Sequence, residues 1–360
     1  MRAHLIAKNP AILPRVPATV AILGAAEEGQ RMAETCAARG IAVALIVDDD
    51  PARLGRRVAG ATVTNFASLA GLARSTPVVI ASHRLLGAVR RLRAMGFVSV
   101  CGSAALQVAD PIGFPPHMFY ADWFEDLERH RMQYAKLAER LADDRSRAVL
   151  DAVIGFRLTL DPEVLAPVLD AELYGAKDLP PPPDPSVYVD AGTFDGDSIR
   201  LYLDRYGTRC RTVHGFEPDP STFQRLKANF AGDPRVVPHN AGLSRGRGKL
   251  TFAADASRAS ILSPDGGVSV DVVGLDEVLA GAPAGVIKMN IEGAEIDALE
   301  GAARTLARYK PTLMISAYHR PSDLWRIPET IDRIAPGYRL YLRQHDGGVI
   351  ESVLYALPTD

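Results

Sequence analysis

Cysteine is scarce in this 360-residue chain: Cys36, Cys101 and Cys210 are its three. They are scattered and odd in number, and none forms a C-x-x-C pair. That excludes a disulfide framework and a zinc knuckle, and leaves three small hydrophobes in a reducing compartment. Charge of one sign is lacking too, since 41 Lys and Arg against 43 Asp and Glu leave a formal net charge of −2. Such a balance offers no field to gather nucleic acid or an anionic membrane surface. No apolar run approaches the length that spans a bilayer. Pro10, Pro14 and Pro17 interrupt the stretch where the apolar core of a signal peptide would lie. The expectation is a soluble cytoplasmic protein with no nucleic-acid partner and no membrane insertion. With 47% hydrophobic and 23% charged residues the chain can bury ample core, and its length predicts two domains.

Three regions separate by composition. From Pro17 to Ala109 short β-branched runs alternate with amphipathic stretches. Ala18–Leu23, Ala42–Val47, Val78–Ala81 and Val98–Cys101 read as buried parallel strands, with Gln30–Ala38, Phe66–Ala73 and Leu85–Met95 as helices. That alternation predicts an open α/β sheet. From Phe119 to Leu169 the spacing turns helical, with Leu127, Met132, Leu137, Leu141, Val149 and Val153 set among charges. This suits a connector packed by one face. The run LPPPPDP at Leu179–Pro185 excludes helix and central strand, because proline lacks the donor and fixes φ. It marks the clearest boundary in the chain.

Beyond it, Val187–Asp190, Thr212–Glu217, Arg235–Pro238, Val268–Val273, Val286–Ile291 and Thr312–Tyr318 read as strands. Ser221–Phe230 and Glu295–Tyr309 read as helices. Arg339–Gln344 and Glu351–Leu357 flank Asp346-Gly347-Gly348, a hairpin signal. An α/β sheet that ends in an antiparallel hairpin differs from an ordinary dinucleotide-binding sheet.

The chemistry-bearing residues fall at the strand ends. In VYVDAGTFDGDS (187–198) a buried strand ends on Asp190, and a turn with Gly192 and Gly196 leads into a helix. Glycine lets the backbone come close to a ligand, and the new helix offers unpaired N–H groups. The next strand ends on Glu217, about 20 residues past the start of the turn, where an acid can accept both hydroxyls of a ribose. The block VIKMNIEGAEIDALEGA, opening at Val286, carries Lys288, Asn290 and Glu292 near a strand end and Glu295 at a helix start. Polar groups in so apolar a strand are costly unless paired or used, and a structural Lys288–Glu292 pair is the plain alternative. Thr312–Tyr318 leads to His319. Parallel strand ends share one edge, so Asp190, Glu217, Asn290, Glu292 and His319 are expected to converge there.

At this point the sequence resembles the FkbM family of S-adenosylmethionine-dependent O-methyltransferases. The blocks VYVDAGTFDGDS, VHGFEPDPSTFQRLKANF, VIKMNIEGAEIDALEGA and ISAYHRPSDLWRIP, with the closing LRQH…ESVLYAL, carry the resemblance over residues 187–357. LADDRSRAVLDAVIGFRL (141–158) resembles the helical lead-in of longer members that carry an extra N-terminal domain. The resemblance implies a class I methyltransferase doubly wound sheet with a C-terminal antiparallel hairpin. It implies S-adenosylmethionine as cofactor, with Asp190, Gly192 and Thr193 around its methionine end, Glu217 on the ribose, and Asn240 and Ala241 near the adenine. It also implies a hydroxyl acceptor on a saccharide, glycoconjugate or related natural product, either a small molecule or a glycan. The family usually shows Asp where this chain has Asn290, which argues against a bridging metal and against residue 290 as the base. An alcohol acceptor must lose a proton, and His319 fits that role intrinsically. Glu292 is the second-choice base or an orienting group, with Lys288 beside it at the catalytic centre.

The N-terminal run TVAILGAAEEGQRMAETCAARGIAVALIVDDD (19–50) forms a Rossmann-like half, with Gly24 and Gly29 in its turn and Asp48 closing its second strand. Its G-x-x-x-x-G spacing lacks the middle glycine that admits a pyrophosphate, and Glu27 and Glu28 would repel phosphates. The unit resembles small sugar-nucleotide-binding domains; acceptor docking or formation of a homo-oligomer is the alternative. The expected layout is a Rossmann-like domain over residues 1–115, a helical connector over 116–183 and an FkbM-like domain over 184–360. The competing functions are an NAD(P)-dependent oxidoreductase and a non-catalytic nucleotide-sugar-binding protein, both using the N-terminal unit.

Overall fold

The computed structural model describes residues 16–114, 117, 119–253 and 267–359. Pro10, Pro14 and the expected domain boundary at 115/116 lie outside those residues. The chain divides into two compact α/β units. One holds the residues up to Arg129 with Ala148–Leu169 and Asp346–Ile350; the other holds His130–Arg147, Asp170–His345 and the segment from Glu351 on. The residues of the 116–183 segment are thus distributed over both.

In the first unit β1 (Thr19–Leu23), β2 (Ala42–Val47), β3 (Arg57–Val58), β4 (Ala61–Thr64), β5 (Val78–Ile80) and β6 (Val100–Gly102) form one sheet, ordered β3-β4-β2-β1-β5-β6. All neighbours are parallel except β3 and β4. Continuous β-branched runs suit strands buried on both faces, and Val20, Ile22, Ile46, Val47 and Val78 are fully buried. A helix, Glu27–Ala38, follows the first turn. There Gly24 has φ +107°, and a Cβ on Gly29 would stand 2.0 Å from the Gly24 carbonyl oxygen. These glycines therefore serve close packing of helix on turn. Two expectations change here. Phe66–Ala73 is a short 3-10 helix, Phe66–Gly71, and the β3–β4 ribbon, too short to show a period, was not expected.

The second unit is built on a seven-stranded sheet. Its strands are β7 (Val187–Ala191), β8 (Thr212–Phe216), β9 (Val236–His239), then, beyond a small separate sheet, β13 (Val286–Met289), β14 (Thr312–Ser316), β15 (Tyr338–Gln344) and β16 (Ser352–Pro358). The order is β15-β16-β14-β13-β7-β8-β9. Strands β14, β13, β7, β8 and β9 run parallel, and β16 is antiparallel to both neighbours. The chain winds outward from β7 through β8 to β9 and returns to β13, so strand order reverses between β7 and β13. In an open α/β sheet that switch point is where ligands bind. Val268–Val273, expected as a strand, belongs instead to the separate sheet of β10 (Gly242–Leu243), β11 (Gly248–Ala253) and β12 (Gly267–Val273).

Further differences have local causes. The expected helix Glu295–Tyr309 breaks into Glu295–Glu300 and Ala303–Tyr309. Gly301 at the break packs so closely that a Cβ there would stand 1.9 Å from the Ser244 carbonyl oxygen. The hairpin is real, but it has no tight turn: Gln344 pairs with Ser352, so seven residues connect the strands. Within the first unit, Gly347 O accepts from Leu86 N (2.8 Å) and Val349 N donates to His83 O (2.9 Å). Met132, expected on a packed face, is exposed. Arg343, fully buried on β15, donates to Asp143 and Asp178 at 2.7 Å each and to Ser146. All three cysteines are buried and free. Among the described residues no helix is long and apolar enough to cross a membrane.

Candidate functional site

The C-terminal ends of β7 and β13 meet at the switch point, and the register there is specific. Lys288 stands directly beside Asp190, so the two side chains share a face. Lys288 Nζ donates to Asp190 Oδ1 (2.9 Å) and to the Gly192 carbonyl (2.8 Å), and both side chains are buried. Asp190 Oδ2 accepts from Ser198 Oγ (2.6 Å) and Tyr188 OH (3.2 Å). The partner of Lys288 is therefore Asp190, not the Glu292 of the alternative pairing. Both Asp190 oxygens are spent on holding the turn that follows it.

That turn is tightly constrained. Gly192 has φ +77°, and a Cβ there would stand 1.9 Å from the Asn290 carbonyl oxygen; Gly196, at φ +92°, abuts the Phe230 ring. Gly192 N and Thr193 N donate to Phe216 O, tying the turn to β8. Thr193 is fully buried, and its Oγ1 has no hydrogen-bond partner among the described residues. A buried hydroxyl left unpaired is costly and calls for a ligand or water.

Glu217 follows β8. Its Oε2 accepts from Phe194 N (3.1 Å) and its Oε1 from Asp219 N (2.9 Å). Burial pushes this carboxyl up to about 7, and the two amides and the more distant Lys288 offset that only in part. Two amides use two of a carboxylate's lone-pair sites and leave room for two more donors. Asn240 Nδ2 donates to the Glu217 and Pro218 carbonyls (2.9 and 3.1 Å), while Ala241 beside it is buried.

At the other side of the switch point Asn290 Oδ1 accepts from Tyr318 OH (3.3 Å). Glu292 sits in the left-handed region at φ +55°. Its Oε2 lies 3.7 Å from His319 Nε2 and has no hydrogen-bond partner among the described residues. His319 has no exposed surface, and its Nδ1 lies 3.0 Å from Glu295 Oε1. Burial alone would lower its pKa, but Glu295 and Glu292 outweigh burial and raise it to about 9. Glu295 is held below its ordinary value, the imidazolium prevailing over burial. Burial, with Glu295 and Glu351 adding to it, pushes Glu292 up to about 7 against the pull of His319. Asp323 rises to about 7 through burial and the charge of Glu295.

Donor atoms of Glu295, His319 and Asp323 lie within 4.8 Å of one another, the one described group with the spacing to hold a cation. The strand ends at the switch point carry Asp190, Gly192, Thr193, Gly196 and Glu217 on one side and Asn290, Glu292 and His319 on the other, with Lys288 beside Asp190, while Asn240 and Ala241 follow β9. Glu295 and Asp323 were not expected as site residues. The first stands three positions after Glu292, a spacing that could have revealed it.

Residues 190–346 match the family described as the Methyltransferase FkbM domain. A curated relative, hexuronic acid methyltransferase AglP of Haloferax volcanii, is 31% identical over 101 residues; the match spans 26% of this chain and 42% of that protein. The solved structure of Methyltransferase FkbM from Methylobacillus flagellatus KT superposes with a TM-score of 0.75 at 26% identity, covering 99% of this chain and 92% of that one. Residues 190–346 thus match the FkbM methyltransferase domain, and the chain as a whole is similar in fold to a solved FkbM methyltransferase.

Proposed function

We propose that the chain is an S-adenosylmethionine-dependent O-methyltransferase acting on a hydroxyl of a saccharide or glycoconjugate. The observation that carries this reading is Glu217: a carboxylate fixed by two amides at the strand end beside the switch point, burdened by burial, with acceptor capacity to spare. The saccharide is suggested by a relative whose name gives a hexuronic acid as its substrate.

When bound, S-adenosylmethionine supplies an electrophilic methyl group on a sulfonium. Glu217 would accept hydrogen bonds from the two ribose hydroxyls, and the buried Thr193 hydroxyl would meet the polar methionine end. Asn240 braces the loop along the adenine side, with Ala241 packing beside it. Gly192 and Gly196 keep the turn low enough for this approach, and Asp190 with Lys288 holds the turn in place. Asn290 frames the reacting centre and bonds to Tyr318.

Glu292, rather than the His319 to which the sequence points, is the base in this reading. A carboxyl near pH 7 is matched to the working range, whereas His319 is buried and stays protonated to about pH 9. His319 is a positioning residue, the cation that steadies Glu292. Glu292 would take the proton that the acceptor hydroxyl gives up, leaving an acceptor oxygen able to receive the methyl group that the bound cofactor would supply. Alignment and exclusion of water supply most of the acceleration. No step uses a metal.

Calorimetric titration of the full chain with S-adenosylmethionine, S-adenosylhomocysteine and NAD tests the reading. Saturable binding of the two sulfur compounds without NAD binding is expected. Binding of NAD alone would overturn it in favour of an oxidoreductase.

A further inference from the structure

We propose that Glu295 is a positioning residue for methyl transfer: one of its carboxylate oxygens fixes both the loop that carries Glu292 and the imidazole that faces Glu292. This role rests on the O-methyltransferase reading above, in which Glu292 is the base.

The backbone between β13 and the helix Glu295–Glu300 turns sharply. Glu292 and Gly293 both stand in the left-handed region, at φ +55° and +92°. For a glutamate that conformation persists only where the surroundings enforce it. The loop is held on both sides of the turn. Before it, Asn290 N donates to Ala191 O at 3.0 Å, which ties its start to β7. After it, Glu295 reaches back four residues, and its Oε1 accepts from Ile291 N at 2.9 Å. The side chain braces the two left-handed residues between its ends.

The same oxygen makes a second contact. Glu295 Oε1 lies 3.0 Å from His319 Nδ1, while His319 Nε2 lies 3.7 Å from Glu292 Oε2. The imidazole therefore stands between two carboxylates with one ring nitrogen turned to each. The ring is rigid, so fixing Nδ1 sets where Nε2 meets Glu292. Glu295 and His319 are buried together, and a buried carboxylate is costly without an opposite charge beside it. Glu295 Oε2 has no hydrogen-bond partner among the described residues, so Oε1 and its two neighbours carry the compensation.

Other groups face this pair without sharing its geometry. Asp323, which opens the helix Asp323–Ile334, accepts from Arg320 N at 2.8 Å. It contributes less than Glu295 and Glu292 to raising His319. The Tyr318 ring packs 4.3 Å from the imidazole, and the charge of Glu351 acts on Glu292.

Two substitutions separate the two contacts. Glu295→Gln keeps an oxygen for Ile291 N but removes the charge beside the imidazole; Glu295→Ala removes both. NMR of the full chain, isotope-labelled at histidine, glutamate and isoleucine, reads all three groups. Native His319 is expected as an imidazolium at pH 8, below its midpoint of about 9, and as a neutral ring in both variants. The Ile291 amide should exchange with solvent about tenfold faster or more in Glu295→Ala than in Glu295→Gln. Glu292 should titrate at higher pH in Glu295→Gln than in the native chain, because the imidazolium lowers it by more than Glu295 raises it. A neutral His319 in the native chain, an imidazolium that survives Glu295→Gln, or an unmoved Glu292 midpoint overturns the proposal. Equal protection of the Ile291 amide in all three proteins does so as well. The native and Glu295→Gln proteins decide the matter alone if Glu295→Ala does not fold. Failure of the native chain to bind S-adenosylhomocysteine would instead strike the underlying function, whereas intact binding with any of those outcomes strikes the role of Glu295 alone.

Discussion

In the first unit Asp48 closes β2 by accepting from Asp50 N, two residues on, at 2.8 Å and from Ala25 N in the glycine turn at 2.7 Å. In the second unit Glu217 follows β8 and accepts in the same pattern, from Asp219 N at 2.9 Å and Phe194 N at 3.1 Å. The two strand–turn–helix segments therefore build the same cradle for a carboxylate. They differ in what else reaches it. Arg53 stands 3.2 Å from Asp48, and this guanidinium together with the amides outweighs burial and holds Asp48 below the ordinary carboxylate range. Glu217 has no guanidinium so close among the described residues, and burial pushes it up to about 7 against the amides and the more distant Lys288. One acid is satisfied by its own chain and locks a turn; the other is kept in a costly state that a ligand's hydroxyls can relieve. A glycine turn and an acidic strand end do not by themselves mark a cofactor site; what separates the two is the balance of burial against the amides and the nearest cation, which burial loses at Asp48 and wins at Glu217.

The sharpest break of this comparison concerns the ion pairs. Arg53 and Asp48 form a pair that solvent partly reaches, whereas Lys288 and Asp190 are buried together. Lys288→Met strands Asp190 without a countercharge and should destabilise the second unit by roughly 3–5 kcal/mol, read as a lower denaturant midpoint. A loss under about 1 kcal/mol, the size expected of an exposed pair, would mean that the buried pair does not hold the turn.

The next largest effect separates the two acids by ligand affinity. Glu217→Ala should weaken S-adenosylhomocysteine binding by on the order of 1–3 kcal/mol, the worth of its charged hydrogen bonds. Asp48→Ala should leave that affinity unchanged and lower the thermal midpoint instead, because only its own turn loses a partner. Equal losses of affinity in both variants would erase the distinction drawn between the cradles.

Much of this was legible in the sequence because strand periodicity and parallel topology are strong constraints. Once β7, β8, β13 and β14 are recognised, Asp190, Glu217, Asn290, Glu292 and His319 must share an edge. Pairing across strands was not legible, since a single sequence does not show register, and so Lys288 was not matched to Asp190. Asp323 stayed hidden because Pro321 and Pro328 argue against a helix, yet Asp323–Ile334 is helical with Pro328 inside it. The length of the hairpin connection was not legible, because Asp346-Gly347-Gly348 suggests a tight turn, whereas seven residues lie between the paired Gln344 and Ser352. The proton affinity of His319 follows from two glutamates that meet it only in the folded chain.

The smallest expected effect is a pH dependence confined to one cradle. Ribose hydroxyls donate to the ionised form of Glu217, so S-adenosylhomocysteine affinity should fall as pH drops through about 7. The loss between pH 8 and pH 6 should be about tenfold at most, one proton over one unit below the midpoint. Asp48, held low by Arg53 and the amides, stays ionised over that window and contributes nothing. Stability runs in the opposite sense. The carboxyl of Glu217 sits above its ordinary value of 4.5 in the folded chain, so its favourable contribution is full below that value and is lost as pH rises through about 7. Glu217→Gln should therefore flatten the affinity profile and raise the thermal midpoint above pH 7, where the native carboxylate is charged and buried. Titrations of both proteins at pH 6, 7 and 8 decide the matter: a slope that survives the substitution would assign the proton to another group at the edge, Glu292 first among them.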